Sequence, residues 1–353
     1  MRTIAIGKDI LGTRKNLRYD GEGFSWVDQP ENKDICVGCG GLRDLKELYE
    51  IFHGKFPSFI PENYRRAFEY IGEDNDNHYK MLAISAKAKH RKNVKGVFEN
   101  LQKFPEEEYI KHFFKGQKFL NMLRPAKIDL EFFSEIKDNL PSSKSFVVRE
   151  GFLATPRYSR CGTTTGRLTI KKGPQILTMK KEYRSMLNNA KQVDFSSMEP
   201  RLLLATQGKF PEGDLYEWIA NEAGLGGSRA KNKVSILASL YGSRNSIKTV
   251  DEVFSLKKKF EELNASIVDG YIRNFYGRPV KVEGQKDHKL LSLWLQSSAV
   301  DAALIGFHNM FKNSDLIPLW VIHDACIFVG NTNFPTYLDI GKGIQLPVTI
   351  SEV

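Results

Sequence analysis

In the first sixty residues apolar and polar positions alternate in short runs. "TIAIG" (3–7) and "FSWVD" (24–28) predict two strands. The period then lengthens. "LRDLKELYEIFHG" (42–54) spaces its apolar residues three and four apart, which predicts an amphipathic helix closed by Gly54. From about 62 to 145 the pattern stays helical and strongly charged. Within it, "YIKHFFKGQKFLNMLRPAK" (109–127) carries aromatics at helical spacing with lysines between them. Such a stripe packs a helix onto its own core, and it also fits a helix that turns its lysines toward phosphates. Residues 157–177 crowd Thr, Gly and basic residues together and predict a loop. "KQVDFSS" reads as a strand, "MEPRLLLATQ" as a helix, and 208–228 as a Gly-rich loop interrupted by "DLYEWIANEAG". Helices are expected over 229–242 and 252–276, and "LLSLWLQSSAVDAALIGFHNMF" (290–311) predicts a long, mostly apolar helix. In "PLWVIHDACIFVG" (318–330) two apolar runs flank His323-Asp324, the pattern of a tight hairpin. No repeat or low-complexity tract is present.

The chain has 353 residues, enough for two or three compact units. Hydrophobic residues make up 41% and charged residues 27%, ordinary for a globular protein, so no large disordered stretch is expected. Lys and Arg exceed Asp and Glu by ten and the pI is near 9.2, which favours a polyanionic partner. Nucleic acid and an anionic membrane surface both fit that description; no run of eighteen uninterrupted apolar residues occurs, so no membrane span is expected, and no membrane is counted among the expected partners. The first residues hold too short an apolar core for a signal peptide. Four cysteines suit a reducing compartment. "CVGC" (36–39) has the spacing of half a zinc site, but no second pair follows and His53 is a poor third ligand. Two thiols near a Gly-rich turn are expected there instead.

Asp194 and Asp324 each sit beside β-branched and aromatic residues where a strand ends or turns. A buried unpaired carboxylate costs several kcal/mol. One such Asp is commonly a helix cap or turn residue. Two in matching settings fit a shared, highly charged ligand such as a pair of Mg²⁺ ions. In "SRAKNKVSILASLYGS" (228–243), Arg229, Lys233, Leu237 and Tyr241 recur every four residues and form one stripe on a helix. Two cations followed by a ring suit a triphosphate and a base; a surface helix with a solvated basic end carries the same residues. In "TTTGRL" (163–168) a Gly beside an Arg lets backbone approach a phosphate or base edge closely.

Together and in this order these strings resemble the polymerase core of family A DNA polymerases, the group that includes bacterial DNA polymerase I. "TTTGRLT" resembles the family's T-x-T-G-R-L-S motif, "VDFSSMEPRLLLA" its motif A, "RAKNKVSILASLYGS" its motif B and "VIHDACIFV" its motif C. "GYIRNFYGRPVKV", "LQSSAVDAALIG" and "IQLPVTISEV" are similar to three further stretches, so that the likeness runs over residues 155–353. It implies an α/β (α+β) right-hand fold with an antiparallel-sheet palm, helical fingers and a helical thumb. The expected domains are an N-terminal segment of unknown role over 1–61, thumb 62–148, palm 149–205, fingers 206–287 and palm again over 288–353.

The resemblance implies that Asp194, Asp324 and the Phe195 carbonyl hold two Mg²⁺ ions, with Mn²⁺ as a substitute. One ion lowers the pKa of the primer 3′-hydroxyl; the other neutralises the leaving pyrophosphate. Glu199 blocks a 2′-hydroxyl, Arg229 and Lys233 grip the triphosphate, and Lys233 protonates the leaving group. Leu237 and Tyr241 complete the nucleotide site. Thr165, Gly166, Arg167, Gln296 and His323 contact the primer-template. The implied partners are primer-template DNA and dNTPs, with other replication proteins reached through the N-terminal segment.

Several positions depart from the family pattern. Leu237 stands where an aromatic ring is usual and Ala325 replaces the Glu after His-Asp. His288 and Ser292 stand where Arg and Asn are usual, so those roles are not carried over. Ser235, "LYGS" and Ala325 lean toward single-subunit phage RNA polymerases, whereas Glu199 favours DNA synthesis. An RNA polymerase or primer-making enzyme is therefore the alternative. A two-metal nuclease and a non-catalytic DNA-binding replication subunit are alternatives of other classes. The stretch before the palm leaves little room for an exonuclease, so neither proofreading nor a 5′-nuclease is expected. The short fingers suit a minimal polymerase of a phage or other mobile element, and an intracellular, cytoplasmic location is expected.

Overall fold

The computed structural model describes residues 3–39, 45–74, 77–102, 107–242, 246–331 and 334–353. Residues 42–44 of the helix expected over 42–54, and Ser243 of the "LYGS" string, lie outside the described residues. Helices and strands are mixed throughout, as the α/β reading expects. The chain forms two compact units, Met1–Ile110 and Lys111–Val353. That division falls inside the stretch expected as a thumb.

In the first unit, both alternating runs form strands, Ile4–Ile6 and Phe24–Val27. They belong to a four-stranded sheet in the order Phe24–Val27, Asn16–Tyr19, Ile4–Ile6, Ile35–Val37. Ile4, Ala5 and Ile6 are fully buried. The helix Lys46–His53 ends where Gly54 turns to φ +74° and donates its N–H to the Glu50 carbonyl. Cys36 and Cys39 turn their thiols to the backbone carbonyls of Asp34 and Ala5, at 3.5 and 3.6 Å. The helices Glu62–Tyr70, His78–Met81 and Ile84–Gln102 follow.

The second unit is built on a five-stranded antiparallel sheet. Its order is Ile317–Ile322, Ala325–Val329, Lys191–Phe195, Gln345–Glu352, Tyr337–Asp339. Alternation sorts the two faces. Val193, Phe195 and Phe328 turn toward the helix Asp287–Phe311, where Phe195 meets Phe307 at 5.5 Å and Phe328 meets Phe311 at 5.7 Å between ring centroids. Gly306 allows this approach, because a Cβ there would lie 2.7 Å from Phe195 Cζ. Trp320, Ile322 and Ile327 cover the opposite face and pack with Phe133, Leu153 and Met186. Gln192 and Asp194 lie on that second face. Helix Asp287–Phe311 is long and apolar enough to cross a membrane, with a mean hydropathy of 1.4, yet 83% of that stretch is buried inside the protein.

A separate apolar core holds the helices Leu215–Glu222, Arg229–Leu240, Lys248–Val253 and Leu256–Ala265 against Leu290, Leu291 and Trp294. Two expectations are corrected. The single helix expected over 252–276 breaks at Ser255, whose φ is +50°, and the second piece stops at Ala265. Beyond it, Tyr271–Arg273 and Pro279–Lys281 form a hairpin, in keeping with its β-branched and aromatic residues and the glycines at 270 and 277. The loop expected over 157–177 also contains a strand pair, Arg157–Ser159 with Thr169–Lys172. Each strand is only three or four residues long and carries one apolar residue, Tyr158 or Ile170, too short a run to mark a strand.

Candidate active site

Asp194 is the last residue but one of strand Lys191–Phe195. The chain then turns through Ser197, which takes the left-handed conformation at φ +54°, and enters the helix Met198–Ala205. Glu199 therefore lies in the first turn of that helix, just beyond the strand end. Asp324 comes from the neighbouring hairpin. Its two apolar strands are joined by His323 and Asp324 alone, and His323 takes φ +57°. A non-glycine residue in that region costs of order 1 kcal/mol or more, a strain often retained at functional sites. The cross-strand partner of Asp194 is Ala325, so the two acids sit side by side at one end of the sheet.

Burial pushes the Asp194 carboxyl up to about 6, and the charge of Asp324 adds to the rise. The Gln192 amide, which donates to Asp194 at 3.3 Å, works the other way, as does the more distant Arg184. Arg184 in turn donates to Gln192 at 3.0 Å. A carboxylate that is half-buried beside a second carboxylate is poised to accept a cation.

Both acids line a cleft of about 700 Å³. Helix Arg229–Leu240 forms the facing wall and contributes Arg229, Lys233 and Leu237, with Tyr241 at its C-terminal end. The stripe read from the sequence is thus the cleft-facing stripe. Tyr241 donates its hydroxyl to Glu199, and Arg167 reaches the same carboxylate at 3.4 Å. Burial raises the pKa of Glu199, against the pull of Arg167.

A second cavity, of about 360 Å³, is lined by Arg167, Gln296 and His323 and shares Glu199 and Asp324 with the first. Phe195 lines the large cleft through its place beside Asp194. Thr165 and Gly166 line neither cavity. Thr165 is buried, and Gly166, at φ +78°, backs onto the Arg278 guanidinium so closely that a Cβ would lie 2.5 Å from its Cζ.

Sequence reading missed the residues that seat the two cations. Arg229 donates to Asp214 at 2.7 and 2.5 Å. The guanidinium and the Lys233 ammonium lie 5.6 and 5.3 Å from the centre of the Tyr216 ring. Burial works to raise the Asp214 pKa, but the bonds from Arg229 and the Glu217 amide hold it below the ordinary carboxylate value. "DLYE" does carry a helix-capping signature, and Asp214 does cap helix Leu215–Glu222 by accepting from the Glu217 N–H. Nothing in that local pattern announces the pairing with Arg229.

Behind these walls lies a buried polar network. Arg160, almost fully buried, donates to the Phe113 carbonyl and to Asp301, each at 2.7 Å. Asn274 donates to the other Asp301 oxygen at 2.8 Å, and Arg278 donates to the Arg160 carbonyl at 2.8 Å. This network ties the 160–168 loop to the 271–281 hairpin and the long helix.

No family model matches the chain, and no curated protein matches it. Among solved structures the chain is similar to the POL domain of Pol1 from M. smegmatis, in complex with DNA primer-template and dNTP, at 14% identity and a TM-score of 0.43. The likeness covers 88% of this chain and 60% of that one, so the chain spans less than two thirds of that structure's length.

Proposed function

We propose that the chain is a template-directed DNA polymerase of the family A type, adding deoxynucleotides to a primer 3′ end. The observation that carries this reading is the meeting of two acids from separate strands with a cation-and-aromatic helix stripe across one cleft. A nuclease has use for the acids but not for the stripe. A DNA-binding subunit has use for the basic surface but not for paired, half-buried acids. In this reading 149–205 and 288–353 act as palm and 206–287 as fingers. The thumb role falls within 62–148, a span that crosses the division between the two units.

In the reaction, the primer 3′-hydroxyl loses its proton to water and its oxygen bonds to the α-phosphorus while the α–β bridging P–O bond breaks and pyrophosphate leaves. Arg229 and Lys233 hold the triphosphate, and Lys233 gives a proton to the departing pyrophosphate. To do so Arg229 exchanges Asp214 for phosphate, a change that an exposed ion pair permits at low cost. Glu199, held by Tyr241 and Arg167, closes the space that a 2′-hydroxyl needs. Arg167, Gln296 and His323 face the primer end. Asp194, Asp324 and the Phe195 carbonyl are hard oxygen donors that suit Mg²⁺ or Mn²⁺. Among the described residues no third His, Cys, Asp or Glu joins them, so water and nucleotide phosphates complete the ligand set. When bound, such ions acidify the 3′-hydroxyl and neutralise pyrophosphate.

Primer extension with Mg²⁺, using dNTPs and rNTPs in parallel, tests the reading. Wild type should extend the primer with dNTPs. Glu199→Ala should raise ribonucleotide use relative to deoxynucleotide use by about tenfold or more. Failure to extend with dNTPs, or preferential extension with rNTPs, would overturn it; the second result favours the RNA polymerase alternative.

A further inference from the structure

The polymerase reading gives residues 1–61 no role, yet the unit they belong to holds a groove of about 870 Å³. One wall is a hairpin. Leu17 and Tyr19 alternate along one strand, and their cross-strand partners Trp26 and Phe24 alternate along the other, so all four face the same way. The other wall is helix Ile84–Gln102, which contributes Arg91, Lys95 and Phe98 from successive turns. The rings form one cluster: Phe24 lies 5.0 Å from Tyr19 and 5.1 Å from Phe98. Phe24 and Trp26 are nonetheless 61% and 54% exposed, on a strand that pairs on one side only.

Charge identifies the occupant. Of the charged residues that line the groove, two are cations, Arg91 and Lys95, and one is Glu99, which lies 3.8 Å from Lys95; the same helix carries Lys87, Lys89 and Lys92 outside the lining. Asp20, at the hairpin tip, is taken up by the amides of Glu22 and Gly23. An apolar peptide would find planar rings rimmed by cations. A duplex keeps its bases stacked away from such rings. A single strand offers both matching parts: exposed base faces for the aromatics and phosphates for the cations.

We propose that this groove binds single-stranded nucleic acid, with bases stacked on Phe24 and Trp26 and phosphates held by Arg91 and Lys95. The proposal stands on the first unit alone and does not depend on the polymerase chemistry.

The test uses the full chain and labelled oligothymidylate and oligouridylate, read by fluorescence anisotropy with excess blunt duplex present to occupy other DNA sites. Phe24→Ala/Trp26→Ala should weaken binding by at least about tenfold. Arg91→Gln/Lys95→Gln should flatten the salt dependence of binding. Iododeoxyuridine crosslinking followed by peptide mapping should place adducts at Tyr19, Phe24 or Trp26. The better-bound of the two oligonucleotides identifies the strand as DNA or RNA. Circular dichroism checks each variant; should the aromatic variant misfold, the charge variant and the wild-type crosslinks still decide. Unchanged affinity and salt dependence in the folded variants, or crosslinks confined to the second unit, would overturn the proposal. So would an apolar helical peptide that binds the groove and is not displaced by oligonucleotide.

Discussion

At the scale of residues, the pair Asp194 and Asp324 sets the energetics of the site. With Asp194 pushed up to about 6 from an ordinary 3.8, the folded protein binds a proton that the unfolded chain has already released. That extra proton is held between about pH 4 and 6, so this group's contribution to stability falls as pH rises through that window. Above it, the ionised acid costs the folded state on the order of 1–2 kcal/mol, after discounting for partial solvent access. Asp194→Asn should therefore melt higher than wild type in chelator at about pH 8, with the gap closing near about pH 4.5. Added Mg²⁺ should raise the wild-type midpoint and leave the variant nearly unmoved. Thermal melts at the two pH values check this; equal midpoints at both would show that the acid carries no such strain.

At the scale of elements, the site depends on how strand ends and helix starts are pinned. Helix Asp287–Phe311 supports strand Lys191–Phe195 through Gly306 and Phe307, while Asp301, from the same helix, anchors the loop that carries Arg167. Removing one partner of a buried ion pair leaves the other charge stranded, at a cost of about 3–5 kcal/mol. Asp301→Ala should lose stability of that order in urea unfolding, and Asp301→Asn less, since an amide still accepts from Arg160. A loss under about 1 kcal/mol for Asp301→Ala would mean that the network does not hold the loop. The hairpin around Asp324 was readable because β-branched runs flank two polar turn residues. The break at Ser255 was not, since a serine in a left-handed turn has no helix-breaking signature of its own. The strands flanking 163–168 escaped notice because each carries a single apolar residue, Tyr158 or Ile170, too few to set up a period.

At the scale of the whole molecule, the sequence predicted two or three compact units and an excess of ten positive charges. Two units are found. Sheet order was beyond sequence pattern: strands near residues 193, 326 and 350 become neighbours, and no local period encodes such long-range pairing. For the same reason the stripe Arg229 to Tyr241 was legible as a stripe, while its counter-ion Asp214 was not. Under the proposed function, the chain, with its net charge of +10, meets phosphates, and its affinity for DNA depends on salt. Binding of a primer-template should weaken at least about tenfold between about 50 and 200 mM salt, as counterion release requires. Anisotropy titrations across that range check it, and a flat response would deny the phosphate contacts.

The most direct test of the account is single-turnover incorporation of one templated deoxynucleotide with Mg²⁺, comparing wild type with Asp194→Ala and Asp324→Ala. Wild type should incorporate it, and each variant should lose about a thousandfold or more in rate, since each carboxylate serves a step worth several kcal/mol. Incorporation by either variant at close to the wild-type rate would contradict the assignment of the two acids to a shared catalytic centre.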